Sequence, residues 1–248
     1  MRSADNALSF GQAVGAYDRG RPEYPARAID WILDHARVPS RGAVVVDVGA
    51  GTGKLTRSFE NRDATLIAVE PDGLMRERLA QNVPVAQVRA GSAEALPLED
   101  ASADLVTFGQ AWHWVDVPAA SAEVARVLRP GGSLALIWNQ RDQRTDWVAR
   151  LGEIMGSSAA EQYDTAHPLL GEPLHRADHA EFAWENPLDA EQLIAMVASR
   201  SYIIALPQSD RDLLLARVRE LVDTHPDLRG RTTFTMPYVT FVTLAGLS

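Results

Sequence analysis

The chain has 248 residues, 46% hydrophobic and 23% charged, as in ordinary globular proteins; this suits one α/β domain with elaborations, or one domain and a small cap. A net charge of −9 and a sequence pI ≈ 5.1 argue against general affinity for nucleic acid or anionic membranes, though they leave room for a local basic patch. The absence of cysteine excludes disulfides, a thiolate metal site and a cysteine nucleophile. The opening MRSADNALSFGQ lacks an apolar signal core, and no run approaches the ~20 apolar residues of a membrane helix, so a soluble cytoplasmic protein is expected.

Residues 1–12 are expected to be mobile. Ala13–Pro25, AVGAYDRGRPEYP, holds two prolines and two arginines and makes a poor regular helix beyond Gly20. It reads as a surface arm on which Tyr17, Arg19, Arg21 and Tyr24 supply hydroxyl and guanidinium donors. In Ala26–Ala36, Ile29, Ile32 and Leu33 fall at helical spacing, and His35 reads as a helix-end residue.

Val44, Val45, Val46 and Val48 form the β-branched run of a buried parallel strand, with Asp47 near its C-terminal end. Gly49, Gly51 and Gly53 follow at once, and Thr52–Phe59 can start a helix. Strand, glycine turn and helix start mark the place where an open α/β sheet binds a nucleotide-like ligand. The spacing G-x-G-x-G departs from the dinucleotide fingerprint, because Lys54 stands where its last glycine belongs. A P-loop fails too: Leu55 replaces the required Ser or Thr, and Val48 replaces the first glycine. An acidic residue just before the glycines suits a ligand carrying an amine or positive charge better than a pyrophosphate.

Ala64–Glu70 reads as a second buried strand. It ends in Glu70, about 20 residues past the loop, where a carboxylate can reach ribose hydroxyls. Pro71-Asp72-Gly73 turns into the helix Leu74–Gln81, for which Asp72 is a candidate N-cap. Val83–Arg89 is a short third strand, placed near an edge by Pro84. Ala103–Gly109 is the fourth strand, and the following Gln110–Asp116, QAWHWVD, should face the crevice. Trp112 and Trp114 also read as core aromatics, and His113 as a structural histidine.

The helix Pro118–Leu128 stops at Arg129-Pro130-Gly131-Gly132, which leads into a fifth strand, Ser133–Trp138. Trp147–Met155 is a helix, and Gly156–His179 is a loop-rich insertion. In a helix His175 and His179 would share a face beside Asp178, but no third ligand is placed, so a solvated face is preferred to a metal site. Ala180–Asn186 is the sixth strand, Ala190–Ser199 and Pro207–Asp223 are helices, and Thr232–Ala245 is β-rich with Pro237 interrupting it.

Asp47-Val48-Gly49-Ala50-Gly51-Thr52-Gly53 resembles motif I, D/E-x-G-x-G-x-G, of the class I S-adenosylmethionine (SAM)-dependent methyltransferases. Gly91–Pro97 resembles their G-x-A-E-x-L-P segment, and Leu128–Leu134 their L-R-P-G-G-x-L phrase. Tyr17–Pro25 resembles the Y-D-x-x-R-P-x-Y-P entry, and Ala111–Asp116 the A-x-H-W-x-D pattern, of the branch that includes trans-aconitate methyltransferase. The resemblance implies a Rossmann-like α/β fold: a seven-stranded, mostly parallel sheet with an antiparallel last strand, helices on both faces, an N-terminal arm and a helical cap insertion. One domain would span 1–248, with the cofactor core in 13–139, cap elements and a late strand in 140–230, and the final strand in 231–248.

The same resemblance implies SAM as cofactor and no metal. Cofactor contacts would come from Tyr17, Asp47, Gly49, Ala50, Gly51, Thr52, Gly53, Glu70, Pro71, Met75, Ser92, Ala93, Glu94 and Gln110. Trp112, His113, Trp114, Arg200 and Tyr202 would border the substrate, with Tyr17, Arg21 and His113 at the reacting centre. The implied acceptor is a small carboxylic acid, which needs no general base but does need a cationic clamp such as Arg21 and Arg200. A phenol, amine or carbon acceptor would want a base, and His113 is the best-placed imidazole. A SAM-binding protein without turnover, and a nucleic-acid or protein methyltransferase, are the alternatives, with a Rossmann enzyme using NAD as a remote third. The acidic charge and the lack of an N-P-P-Y motif argue against a nucleobase target. The oligomeric state is left open.

Overall fold

A computed structural model describes residue 18 and residues 20–156 and 163–247. Strands β1 (Ala43–Val48), β2 (Ala64–Val69), β3 (Gln87–Arg89), β4 (Ala103–Gly109) and β5 (Leu128–Arg141) run parallel. β7 (Phe234–Leu247) lies antiparallel between β5 and β6 (Leu174–Leu188), giving a seven-stranded sheet in the order β3-β2-β1-β4-β5-β7-β6. The order reverses between β1 and β4, so a crevice opens at the carboxyl ends of those two strands.

Both faces of the sheet are covered, which is why β1 is a nearly continuous apolar run. On one face α1 (Ala26–His35) presses Ile29 and Ile32 onto Val45, Leu105 and Ile137, joined by Leu55 and Phe59 around α2 (Lys54–Arg57). On the other face α4 (Val117–Val127) presses Val124 and Val127 onto Val46, Val106 and Leu134. A third apolar cluster joins α5 (Asp146–Met155), α6 (Ala190–Ala198) and α8 (Gln208–Thr224) to Phe234, Met236 and Tyr238 of β7. The short α7 (Ser201–Ile204) supplies Ile203 and Tyr202 to it.

Several local expectations are corrected. The helix after the glycine loop is a single turn. Strand β3 keeps only three residues, because the helix α3 (Gly73–Asn82) runs up to a C-cap at Val83; it does lie at the sheet edge. Asp72 is the N-cap of α3, accepting from Met75 N at 2.9 Å. β6 starts at Leu174, so His175 and His179 are strand residues, and His179 Nδ1 lies 3.2 Å from Thr243 Oγ1. Among the described residues no group of three or more His, Asp and Glu could hold a metal ion, and no helix is long and apolar enough to cross a membrane.

Pro237 does not interrupt β7. Its carbonyl accepts from Asp142 N at 2.9 Å, just past the Arg141–Tyr238 pair that ends the β5 ladder. The nitrogen of a strand residue points to the same side as its carbonyl, so the missing N–H removes no ladder bond there.

Candidate active site

A cleft open to solvent lies at the carboxyl ends of β1, β4 and β5. Gly49, Ala50, Thr52, Lys54 and Leu55 form one wall, and Gly109, Gln110, Asn139 and Tyr238 the other. Arg21, Pro22 and Tyr24 of the arm and Arg200 beyond α6 complete the lining, with Asp47 below. The glycine loop is a left-handed turn: Gly49 has φ 66° and a Cβ there would sit 2.8 Å from Ala111 Cβ. At Gly109 a Cβ would meet the Tyr24 hydroxyl at 2.7 Å, so the arm rests directly on the end of β4.

Asp47 is buried at 1% exposure. Its Oδ2 accepts from Thr56 Oγ1 at 2.6 Å and its Oδ1 from Thr107 Oγ1 at 3.2 Å. Burial outweighs those hydrogen bonds and raises its pKa to about 7. The carboxyl therefore ties β1 to α2 and β4 as well as flooring the cleft.

Glu70 follows β2 and is likewise buried. Its Oε2 accepts from Gly51 N at 2.8 Å and its Oε1 from Asp72 N at 2.9 Å. Burial raises its pKa against the pull of these two bonds. Each oxygen keeps a second lone pair for a ligand.

The arm is pinned across the glycine loop. Thr52 Oγ1 donates to Asp18 Oδ1 at 2.9 Å, and Asn82 Nδ2 to Asp18 Oδ2 at 3.3 Å. Burial alone would raise the Asp18 pKa; the Thr52 hydrogen bond, the Lys54 charge and the Asn82 and Arg78 bonds outweigh it and hold the group below its ordinary value. Lys54 Nζ and Arg57 Nη2 reach Glu23 Oε1 at 2.8 and 2.9 Å.

The turn Trp112–Trp114 stands beside the cleft without lining it. Trp112 is fully buried, donates Nε1–H to Leu169 O at 2.8 Å and packs edge-on against Phe108. It is a core aromatic, contrary to the expected substrate contact, because its indole finds both apolar cover and a carbonyl in the interior. His113 Nδ1 accepts from Trp138 Nε1 at 3.4 Å, and its ring lies among Trp114 and Tyr163. Burial and then the Arg21 charge lower its pKa to about 4, so it is a neutral imidazole at pH 7.

The other expected residues divide. Gln110, in a left-handed conformation at φ 57°, lines the cleft and donates Nε2–H to Asn139 O at 2.8 Å. Met75 is buried at 3% exposure, Ala93 packs into the core, and Tyr202 belongs to the third cluster, so none of these three side chains lines the cleft. Ser92 forms an isolated bridge with Ala95, Glu94 Oε1 accepts from Asp116 N at 3.0 Å, and the Pro71 carbonyl accepts from Arg76 Nη1 at 2.6 Å. These contacts hold neighbouring loops together. Tyr17 lies outside the described residues. Sequence reasoning missed Lys54, Asn139 and Tyr238 as cleft residues and the two threonines on Asp47. Asn139 and Tyr238 sit on adjacent strands far apart in sequence and carry no local signal.

A family model described as a methyltransferase domain matches residues 46–136. An uncharacterized methyltransferase of Mycobacterium tuberculosis is 46% identical over 244 residues, 98% of each chain. A malonyl-[acyl-carrier protein] O-methyltransferase of Hahella chejuensis is 43% identical over 95 residues, 36% of this chain and 34% of that protein. The solved structure of a type II methyltransferase from Anaeromyxobacter dehalogenans matches with a TM-score of 0.69 at 21% identity, over 92% of this chain and 97% of that one.

Proposed function

The chain belongs to the SAM-dependent methyltransferases, and within that family we propose that it esterifies the carboxylate of a small acid. The observation that carries this reading is that two guanidinium groups, Arg21 and Arg200, line the same cleft as the glycine loop. Bound SAM supplies a methyl group on a positively charged sulfur. The residues present fit such a ligand: Glu70 keeps lone pairs for two ribose hydroxyls, and the glycine turn admits close backbone approach. Asp47 places a carboxyl beneath the cleft for the cationic part of the cofactor.

A carboxylate is already ionised at neutral pH, so it attacks without proton transfer. What it needs is a clamp, and the planar guanidinium fork matches it in bidentate fashion. A phenol or amine needs a base, and an imidazole whose pKa is lowered to about 4 is a weak one at pH 7. Arg21, Pro22 and Tyr24 of the arm line the cleft, where they would help hold the reactants at attack distance and exclude water. The name of the Hahella relative, an O-methyltransferase of malonyl-[acyl-carrier protein], agrees with an oxygen acceptor, and so does the resemblance of the arm and His-Trp segments to the trans-aconitate methyltransferase branch.

Calorimetric titration with SAM, S-adenosylhomocysteine and NAD, beside Asp47→Ala and Glu70→Ala, tests the cofactor site. The first two should bind and the variants should lose them. A panel of small acids with methyl-labelled SAM should then yield base-labile methyl esters. Arg21→Ala and Arg200→Ala should each raise KM for the acid about tenfold or more, with little change in S-adenosylhomocysteine affinity. Label appearing on an amine or phenol instead would overturn carboxyl methylation.

A further inference from the structure

A hydrogen-bonded chain runs from the edge of the sheet to the arm, and the chemistry of its ends fixes its direction. Trp184 Nε1 can only donate, and it lies 2.8 Å from Thr240 Oγ1. Thr240 is fully buried. Its own proton therefore goes to Asn139 Oδ1 at 2.6 Å. That bond sets the amide, since the two ends of an asparagine side chain are nearly isosteric and only their partners decide the flip. Asn139 Nδ2 then faces the arm and donates to the Glu23 carbonyl at 3.1 Å, an oxygen that can only accept.

The sheet builds this chain. Thr240 stands opposite Asn139 across the β5–β7 pair, and the Trp184 ring is held by stacking on Tyr238 at 5.1 Å between centroids. Glu23 is thus anchored from both walls of the cleft: its side chain by Lys54 and Arg57 on α2, its main chain by Asn139 on β5. Arg21, Pro22 and Tyr24, which line the cleft, flank that double anchor.

We propose that Thr240, which does not itself line the cleft, is a positioning residue: its hydroxyl sets the Asn139 amide and so fastens arm residues 21–24 across the cleft mouth. Valine at this position would keep the shape and remove the hydroxyl. The Asn139 amide would then be free to turn its oxygen toward the Glu23 carbonyl, where two acceptors repel.

The test is hydrogen exchange of segment 20–25 in the ligand-free protein, with α4 as internal reference, followed by calorimetric affinity for S-adenosylhomocysteine. Only the second readout rests on the cofactor reading, so exchange decides the proposal even if that reading fails. Thr240→Val should speed exchange of 20–25 by about tenfold, the loss of one hydrogen bond, and weaken ligand binding by a similar factor. Exchange of α4 should not change, and Thr240→Ser should restore both readouts. A folded Thr240→Val protein with wild-type exchange in 20–25, or one whose α4 accelerates equally, would overturn the proposal. If that variant fails to fold, Thr240→Val with Trp184→Phe, which leaves no indole N–H without its acceptor, is read by the same two outcomes.

Discussion

Asp47 shows how one carboxyl serves both the fold and the cleft. Its burial leaves the folded protein holding a proton more tightly than the unfolded chain does, with a pKa of about 7 against an ordinary 3.8. For a raised carboxyl the sign is fixed: the stabilisation from the protonated form declines as pH rises from the unfolded value through about 7, and is flat above it. Asp47→Asn keeps the size and can bond both threonine hydroxyls: its oxygen accepts from one, and the other reverses to accept from its Nδ2. It should melt above the wild type by about 5 °C at pH 8, with a distinctly smaller gain at pH 5. Equal gains at both pH values in differential scanning fluorimetry would show that the carboxyl ionises like an exposed one. Glu70→Gln should weaken S-adenosylhomocysteine binding by about tenfold in calorimetry, because one of its two backbone donors loses its acceptor. Both carboxylates were visible in the sequence beside their glycine loop. The threonines that receive Asp47 were not, since Thr107 lies sixty residues away on β4.

At the scale of elements, the arm and β4 are fitted to each other through Gly109. Gly109→Ala would drive a methyl to 2.7 Å from the Tyr24 hydroxyl and 3.0 Å from Leu55 Cδ2. We expect it to lower the affinity for S-adenosylhomocysteine by about tenfold, as overpacking of 1–3 kcal/mol does elsewhere. Tyr24→Phe in the same chain should recover a large part of the loss; no recovery would mean that the clash is absorbed at Leu55 instead. Strands β1, β2 and β4 were legible because burial on both faces writes an unbroken apolar run. The start of β6 was not. His175–Asp178 is exposed and becomes strand only because β7 pairs with it, so by itself this stretch read as the end of a loop-rich insertion.

For the whole molecule, the third apolar cluster is separate from the two that sandwich the cofactor end of the sheet. Trp147, 3% exposed and edge-on to Phe234, is its largest buried side chain. Trp147→Ala should lower stability in urea unfolding by about 3–5 kcal/mol. Added S-adenosylhomocysteine should raise the melting temperature of this variant by nearly the wild-type increment, since ligand stabilisation depends on occupancy of the native cleft alone. A much smaller increment in the variant would show that the cluster shapes the cleft through Arg200 and Tyr238.

The sequence by itself determined the parts whose physics is local. A β-branched run reads as a buried strand, glycines with an acidic residue before them as a ligand turn, and an aspartate before a helix as its cap. From these the parallel strands and the crevice followed, and the motifs they carry gave the resemblance to the family. Only the tertiary structure decided which side chains share the cleft and which way they face. It placed Trp112 in the core, brought Asn139 and Tyr238 into the cleft wall, and tied Glu23 to two sides at once. Those outcomes depend on pairing between strands distant in sequence, and on burial that shifts a carboxyl and an imidazole in opposite directions; neither is written in any one stretch of residues.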